Sequence, residues 1–299
     1  MELKEIYQPI SKELSQVETE LKEQVNSVSE NQKFVNPVHQ RWAGVSEIIS
    51  YFFNVPGKRL RPALVLLSAK TVNEPQKRIT ENLIHLATAV ELIHNATLIH
   101  DDIVDNALQR REQPSLNKQF GNQIAVLAGD MLYARAFSLL TNKLDKKIVR
   151  ILSQCVEKMC RGEIDELRRP ISSFEEYLKI IENKTAGFMS VCCQAGSILV
   201  LQGVADLGLR QNAKQVSLLQ KFGHNFGISY QIMDDYLDGD SPFTFKIDML
   251  EKAKEYALRA KENIAFFNNS NSKHKESLKN LSEYVVSRKH EQTKSLSSI

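Results

Sequence analysis

Glycine and proline are scarce in this chain, with 12 and 8 copies among 299 residues. Both residues interrupt helices, so the stretches that lack them can form long helical segments. Apolar residues recur there at three- and four-residue steps, as in Leu83, Leu86 and Val90, whereas alternation of period two is absent. We therefore expect an all-α fold, a single-domain bundle of about ten helices over residues 1–290, followed by a disordered tail over residues 291–299.

Cysteine and tryptophan are also rare, and the charges nearly balance. A single tryptophan and a net charge of +3 argue against a nucleic-acid partner. The cysteines form no CxxC pair and, with the histidines, no set that has the spacing of a zinc site. We expect all of them to be reduced core residues, as is usual in a cytoplasmic protein. They are Cys155, Cys160, Cys192 and Cys193.

Long apolar runs are missing as well. No stretch approaches the roughly 18–20 residues that a membrane-spanning helix needs. The first five residues, MELKE, are acidic and amphipathic and do not resemble a signal peptide. We therefore expect a cytoplasmic protein that makes at most peripheral contact with a membrane.

Aspartate, in contrast, is concentrated at two similar places. Residues 101–105 read DDIVD and residues 234–238 read DDYLD, and each motif closes a long apolar helical pattern. On a helix, Asp101 and Asp105 share one face, with Asp102 about 100° around the axis. Carboxylates at a helix C-terminus repel one another and the helix dipole, so they require cations, and Mg²⁺ prefers such oxygen ligands. One such motif is usually a solvated helix end, but the pair predicts a magnesium site.

Basic residues accompany the first aspartate cluster. Arg110 and Arg111 lie in a predicted turn before Pro114, and residues 57–62 read GKRLRP, with three cations in four positions. Arginine matches phosphate oxygens with two parallel hydrogen bonds. Because an apolar helix follows the GKRLRP segment at once, the segment indicates an anion site at a helix start rather than a solvated patch.

These motifs together resemble a known family. Residues 91–130, which include the first aspartate cluster, strongly resemble the trans-polyprenyl diphosphate synthases. The GKRLRP segment, the pair Lys184-Thr185 and residues 230–235 resemble three further motifs of that family. The resemblance extends over roughly residues 3–289, so it covers nearly the whole chain.

The resemblance implies a fold, a reaction and a set of site residues. The fold is an all-α bundle around a deep central cavity, usually in a homodimer. The reaction is the Mg²⁺-dependent head-to-tail condensation of isopentenyl diphosphate with an allylic diphosphate, with three ions in the site. The implied metal ligands are Asp101, Asp105 and Asp234, with Asp102, Asp235 and Asp238 in the same site or directly around it. The implied catalytic residues are Asp101, Asp102, Asp105, Arg110, Lys184 and Asp234. The allylic diphosphate would contact Arg110, Lys184, Thr185 and Gln231, and isopentenyl diphosphate would contact Lys58, Arg61, His94 and Arg111.

Two small residues bear on product length. Ala96 and Thr97 lie five and four positions before Asp101, about one helical turn away. Family members that stop at a farnesyl product resemble one another in having a bulky aromatic residue here. The small pair therefore implies a product longer than geranylgeranyl diphosphate, suited to a quinone side chain.

The chain departs from the family pattern after Asp238. The family has a lysine-bearing, glycine-rich stretch there, whereas residues 239–243 read GDSPF and a helix is predicted directly afterwards, over residues 247–267. Lys246 is the first basic residue after the cluster. Either a segment of the natural chain is missing from this sequence or the protein lacks it, in which case catalysis could be impaired.

Three functions remain open at this point. The first is an active chain-elongating synthase. The second is a non-catalytic regulatory subunit of a heteromeric prenyl diphosphate synthase, in which decayed motifs are expected. The third is a terpene cyclase, which shares the first aspartate cluster, but the second DDxxD motif and the basic GKRLRP segment argue against it.

Overall fold

The computed structural model describes residues 1–30, 44–72, 81–168, 170–201, 209–239, 247–267 and 272–288. Within these ranges the chain is almost entirely α-helical, so the predicted all-α class is confirmed. The helices are α1 (Leu3–Ile6), α2 (Ser11–Glu30), α3 (Val45–Phe53), α4 (Leu60–Val72), α5 (Glu81–Val104), α6 (Leu116–Phe120), α7 (Asn122–Lys143), α8 (Lys146–Arg168), α9 (Phe174–Ile181), α10 (Gly187–Leu201), α11 (Leu209–Asp238), α12 (Met249–Ala265) and α13 (Ser272–Ser287).

Three short elements complete the described structure. A 3₁₀ turn covers Gln8–Ile10, and a π-helical turn, Glu182–Ala186, joins α9 to α10. The strands β1 (Gln109–Arg110) and β2 (Gln113–Pro114) form an antiparallel hairpin. This hairpin lies where the sequence predicted a turn.

The chain forms two compact units. The first consists of residues 1–10, 64–78 and 150–299, and the second of residues 11–63 and 79–149. The second unit is built on α5, which packs against α2 and α7. Helix α5 is apolar on nearly all sides, and Leu83, Leu86 and Val90 have no exposed surface. A helix of this kind is stable only when it is surrounded by protein. Its C-terminal end bears the first aspartate cluster.

The first unit is built on α11, a helix of 30 residues that packs against α10, α12 and α13. Glycines allow α11 to approach its neighbours closely. A Cβ atom on Gly227 would lie 2.5 Å from the Cα atom of Ala186, in the π-helical turn. The helix ends at Asp238, and Gly239 has a φ of +73°, which confirms the predicted helix stop beside the second cluster.

Several sequence predictions can be compared with these elements. The helix predicted over residues 247–267 is α12. All four cysteines are free, but Cys160 is exposed, so the prediction that all four belong to the core is wrong for Cys160. It lies on the solvent-facing side of α8, which is amphipathic. The predicted tail over residues 291–299 and residue Lys246 lie outside the described residues.

Two helical stretches bear on the membrane prediction. Asn122–Lys143 and Phe174–Leu201 are long and apolar enough to cross a membrane by length and composition alone. The expectation that no such stretch exists is therefore wrong. Core helices pass the same test, and 39% and 61% of the two apolar windows are buried inside the protein.

Candidate functional site

The first aspartate cluster lies at the end of α5, in the second unit. Helix α5 ends at Val104, and the backbone N–H of Asp105 still donates to the carbonyl of Asp101, at 2.8 Å. Asp101 is partly exposed and Asp105 is exposed, whereas Asp102 is fully buried. The spacing of the three aspartates was predicted to place the first and last on one helix face. In the structure these two carboxylates are accessible, and the middle one faces inward.

Arg110 pairs with the buried carboxylate of Asp102. Its Nε lies 2.7 Å from each oxygen of Asp102, and its Nη2 lies 2.6 Å from Oδ1. The β1–β2 hairpin positions this arginine, and Arg111 and Glu112 at its tip both have positive φ angles, of 51° and 66°. Tight hairpins need this left-handed backbone, which non-glycine residues adopt only at a cost. Asp102 therefore holds Arg110 in place beside the accessible carboxylates.

The GKRLRP segment divides into residues with different roles. Arg59 pairs with Glu18 and, at 2.9 Å, with the buried Glu91, so it stabilises the packing of α2 and α5. Arg61 lies 2.9 Å from Nε2 of His94. Lys58 is exposed. The sequence pattern grouped the three cations, and the family resemblance implied only Lys58 and Arg61 as ligands. The structure buries Arg59 in internal ion pairs.

His94 lies among positively charged side chains. Burial, and then the charges of Arg61 and Arg111, hold the pKa of His94 well below its usual range. The ring is therefore neutral at physiological pH, and the contact with Arg61 identifies Nε2 as the acceptor and Nδ1 as the N–H donor. Nδ1 is buried and has no hydrogen-bond partner among the described residues. A buried donor of this kind, next to arginines, suits an anionic ligand.

Arg111 belongs to the same basic group. Its Nη1 donates to the carbonyl of Val55 at 2.8 Å, which connects the hairpin tip to the GKRLRP segment. A Cβ atom on Gly57 would lie 2.8 Å from Nη2 of Arg111. Glycine at this position therefore leaves room for the guanidinium. Burial lowers the pKa of Arg111 below its ordinary value, although the side chain remains charged.

The second aspartate cluster lies at the end of α11, in the first unit. Asp234 accepts a hydrogen bond from Nη1 of Arg288, the first residue after α13. Asp235 accepts from the hydroxyl of Tyr177 and, at 2.9 Å, from Nε2 of Gln231. Asp238 is exposed. The three carboxylates thus differ, and both oxygens of Asp235 have protein donors.

A chain of hydrogen bonds connects this cluster to the π-helical turn. The hydroxyl of Thr185 donates to Oε1 of Gln231 at 2.8 Å, so the amide N–H₂ of Gln231 faces Asp235. Burial raises the pKa of Asp235, and the hydrogen bonds from Tyr177 and Gln231 oppose that effect. The predicted residues Thr185, Gln231 and Asp235 are therefore brought together.

Lys184 lies in the same π-helical turn and pairs with two acidic residues of α8. Its Nζ lies 2.8 Å from Glu163 and also contacts Glu166. Burial lowers the pKa of Lys184, but the hydrogen bonds and charges of the two carboxylates outweigh burial and raise it above its ordinary value. A Cβ atom on Gly162 would lie 2.8 Å from Cβ of Asn183, so glycine lets α8 approach the turn. Single π-helical turns inside long helices often occur at functional sites.

Sequence reasoning did not identify four of these residues. Glu163 and Glu166 lie three positions apart on α8, and this spacing could have shown that they share a face. Tyr177 and Arg288 contact residues 58 and 54 positions away in sequence, and no local pattern indicates such contacts.

The carboxylates suit a divalent metal ion only together with further ligands. Among the described residues, no three His, Cys, Asp or Glu side chains are arranged to hold an ion by themselves. Asp101, Asp105 and Asp238 offer accessible oxygens at helix C-termini. Mg²⁺ usually binds one or two carboxylates and completes its coordination with waters and substrate phosphates, so this donor set fits it.

Residues 43–285 match the family model described as polyprenyl synthetase. A prenyl transferase of Cyanidium caldarium is 33% identical over 237 residues, which are 78% of this chain and 68% of the relative. Heptaprenyl diphosphate synthase component 2 of Geobacillus stearothermophilus is 32% identical over 80% of this chain and 67% of the relative. Nonaprenyl diphosphate synthase of Mycobacterium tuberculosis is 36% identical over 66% of this chain and 56% of the relative.

Two solved structures share the fold. A decaprenyl diphosphate synthase from Rhodobacter capsulatus has a TM-score of 0.78 at 24% identity, over 95% of this chain and 98% of that chain. A polyprenyl synthase from Caulobacter crescentus, complexed with calcium and isoprenyl diphosphate, has a TM-score of 0.77 at 23% identity. The match covers 96% of this chain and 98% of that chain. At these identities the two structures show the fold alone.

Proposed function

Because this chain belongs to the polyprenyl synthetase family and is a prenyltransferase, we propose that it extends an allylic diphosphate with isopentenyl diphosphate in a magnesium-dependent reaction. The observation that carries the proposal is the placement of the motifs. Each compact unit contains a long core helix that ends in a DDxxD cluster, and cationic side chains lie beside that cluster. The family model spans both clusters.

We assign the two diphosphates to different residues. Lys184, Thr185, Gln231 and Arg110 would hold the allylic diphosphate, and Lys58, Arg61, His94 and Arg111 would hold isopentenyl diphosphate. The Nδ1–H group of His94 supports the second assignment, because it is a buried donor without a partner among the described residues. Substrate binding would also have to replace existing ion pairs, such as the pair of Lys184 with Glu163, by contacts with the diphosphate.

Magnesium is the proposed cofactor, and Asp101, Asp105, Asp234, Asp235 and Asp238 are its proposed ligands. When bound, the metal would neutralise charge on the departing diphosphate. Arg110 and Lys184 would stabilise the same charge from the protein. The isopentenyl double bond then attacks the allylic cation, and a proton leaves to the released pyrophosphate. The Caulobacter polyprenyl synthase, which was solved in complex with calcium and isoprenyl diphosphate, supports the binding of a divalent ion and a diphosphate by this fold.

We further propose a product longer than geranylgeranyl diphosphate, suited to a quinone side chain. The relatives named as heptaprenyl and nonaprenyl diphosphate synthases support this proposal. Ala96, the small residue at the predicted length-controlling position, is fully buried in α5. A homodimer in the cytoplasm, with at most peripheral membrane contact, completes the proposal.

A second candidate is a subunit of a heteromeric synthase that has no activity alone. The name of the Geobacillus relative, which is one component of a heptaprenyl diphosphate synthase, favours it, as does the departure from the family pattern after Asp238. The intact motifs at residues 101–105 and 234–238 favour catalysis by this chain.

The test is to incubate the purified protein with labelled isopentenyl diphosphate, farnesyl diphosphate and Mg²⁺, and to separate the products by chromatography. We expect elongated prenyl diphosphates, and none in excess EDTA. An isolated non-catalytic subunit would give no product with or without Mg²⁺. A cyclase would release hydrocarbon from the allylic substrate without incorporating label.

A further inference from the structure

We propose that Arg288 is a tethered cation that occupies Asp234 until a divalent metal ion displaces it, and that metal binding thereby releases the C-terminal end of α13. The inference rests on the proposed function, because it takes Asp234 as a ligand of magnesium. It concerns only contacts within the first compact unit.

The geometry shows a buried cation on an accessible carboxylate. Nη1 of Arg288 donates to Oδ1 of Asp234, and Nη2 donates to the carbonyl of Tyr230 at 3.3 Å. The guanidinium carbon also lies 4.4 Å from the centre of the Tyr230 ring. The side chain of Arg288 is 8% exposed and that of Asp234 is 32% exposed. The arginine therefore binds from the protein side, and solvent reaches the carboxylate.

Arg288 is held at this position by its own helix. It follows α13 directly, and its Nε donates to the carbonyl of Val285 at 3.2 Å. Val285 is fully buried, so it anchors the last turn of the helix in the core. A tether of this kind gives the guanidinium a high effective concentration at Asp234.

When a divalent metal ion binds to Asp234, it replaces the positive charge of Arg288. Asp234 lies in the last turns of α11, where the helix dipole adds negative character and stabilises a cation. In the structure the guanidinium of Arg288 supplies that cation. A divalent ion on the same carboxylate would lie within a few ångströms of a poorly solvated positive charge, and the two would repel. This repulsion is the reason for the inference that the ion displaces Arg288.

This arrangement distinguishes the second cluster from the first. At the first cluster the arginine pairs with Asp102, which is buried and is not among the proposed metal ligands. At the second cluster the arginine pairs with a proposed ligand itself. The affinity for metal at Asp234 should therefore depend on the charge at position 288.

The test is a titration of the full-length protein with Mn²⁺ by isothermal calorimetry, in the presence of inorganic pyrophosphate, which supplies phosphate oxygens to the metal without reacting. The site of interest is the one that Asp234→Asn abolishes. Arg288→Gln, which removes the charge, should lower the dissociation constant of this site about fivefold or more. Arg288→Lys should keep it within about twofold of the wild-type value. Lys279→Gln is the matched control. It removes a charge from the same helix, where Lys279 pairs with Glu276 at 3.1 Å, and it should change nothing.

The outcomes separate this inference from the proposed function. An Asp234-dependent site with the same dissociation constant in Arg288→Gln and in the wild type would overturn the inference and leave the proposed function intact. The lack of any Asp234-dependent site in either protein would contradict the proposed magnesium site itself.

A second measurement does not depend on a variant that could be less stable. Hydrogen exchange at residues 281–288 of the wild-type protein should become faster when Mn²⁺ saturates the Asp234-dependent site, because the end of α13 loses its ion pair. Unchanged or slower exchange there would show that Arg288 stays in place.

Discussion

Lys184 and Arg110 are both held by carboxylates. Glu163 and Glu166 surround Lys184, and Asp102 receives Arg110. These contacts position long, flexible side chains and reduce the entropy that binding would otherwise cost. A diphosphate that replaces a carboxylate partner offers more charge and more oxygens. The pairs therefore favour a ligand with two phosphates over a singly charged one.

The two substrate sites should respond differently to loss of a cation. Lys58→Ala and Arg111→Ala should raise KM for isopentenyl diphosphate about ten- to a hundredfold, since a hydrogen bond to a charged group contributes roughly 1.5–3 kcal/mol. Lys184→Ala should raise KM for the allylic substrate instead. Steady-state kinetics with each substrate varied in turn would measure both constants. Lys254→Ala, an exposed lysine of α12, serves as control. If all three variants changed the KM values for the two substrates equally, the assignment of these cations to two separate substrate sites would be wrong.

His94 should make the stability of the protein depend on pH. The pKa of His94 is held well below its usual range, first by burial and then by Arg61. The unfolded chain therefore binds a proton below about pH 6.5 that the folded chain does not, and stability is lost as the pH falls. The expected loss is up to about 1.4 kcal/mol per pH unit.

Thermal unfolding between pH 7 and pH 5 would measure this effect. His94→Gln should lose less stability over that range than the wild type. Ser217→Ala, which removes no ionisable group from an exposed position of α11, should behave like the wild type. A His94→Gln variant with an unchanged pH dependence would show that this histidine is not held neutral.

At the scale of helices, sequence periodicity predicted the elements that carry both clusters. The end of α11 could be predicted because Gly239 follows the last apolar turn, and α5 because Leu83, Leu86 and Val90 repeat at helical steps. The π-helical turn, Glu182–Ala186, could not be predicted, because no apolar pattern distinguishes it from the α-helices around it.

The side-chain pairs within the candidate site also could not be predicted from the sequence. The pairs of Asp234 with Arg288 and of Asp235 with Tyr177 depend on how α13 and α9 pack against α11. The charge pattern alone did not separate Arg59 from Lys58 and Arg61, although the family resemblance left it out of the ligands. In the structure Glu18 and Glu91 bind Arg59 inside the protein. Residue types indicated charge, but only the packing shows which charges remain accessible.

Close packing at the π-helical turn should be sensitive to a single methyl group. Gly227→Ala would place a Cβ atom 2.5 Å from the Cα atom of Ala186, which is backbone and cannot rotate away. We expect a destabilisation of about 1–3 kcal/mol from overpacking, although alanine favours helices by about 1 kcal/mol over glycine. Chemical denaturation would measure it. Ser217→Ala, at an exposed position of α11, should not destabilise, and an equally stable Gly227→Ala would contradict the close contact.

At the scale of the whole molecule, product length tests where the growing chain runs. Ala96 is fully buried one turn before Asp101, so Ala96→Phe would place a ring in the path that the family resemblance implies. We expect a shorter main product, measured by chromatography of the dephosphorylated prenols. Thr97→Ala, which adds no bulk, should not shorten it. An unchanged length distribution in Ala96→Phe would mean that the chain does not pass this face of α5.

Overpacking at position 96 could also reduce stability, by about 1–3 kcal/mol. Thermal unfolding of Ala96→Phe would separate this effect from a change in product. A folded variant with a shorter product supports the path along α5, because loss of structure would lower the yield without shifting the length.

The most direct test of the account is the turnover of Asp101→Asn and Asp234→Asn with isopentenyl and farnesyl diphosphates at saturating Mg²⁺. Each change removes one carboxylate charge with little change in shape, so it should lower kcat by about a hundredfold or more. Glu157→Gln, in an exposed pair with Arg161 on α8, should keep normal turnover. Near-normal kcat in either aspartate variant would contradict a reaction that depends on metal ions held by the two clusters.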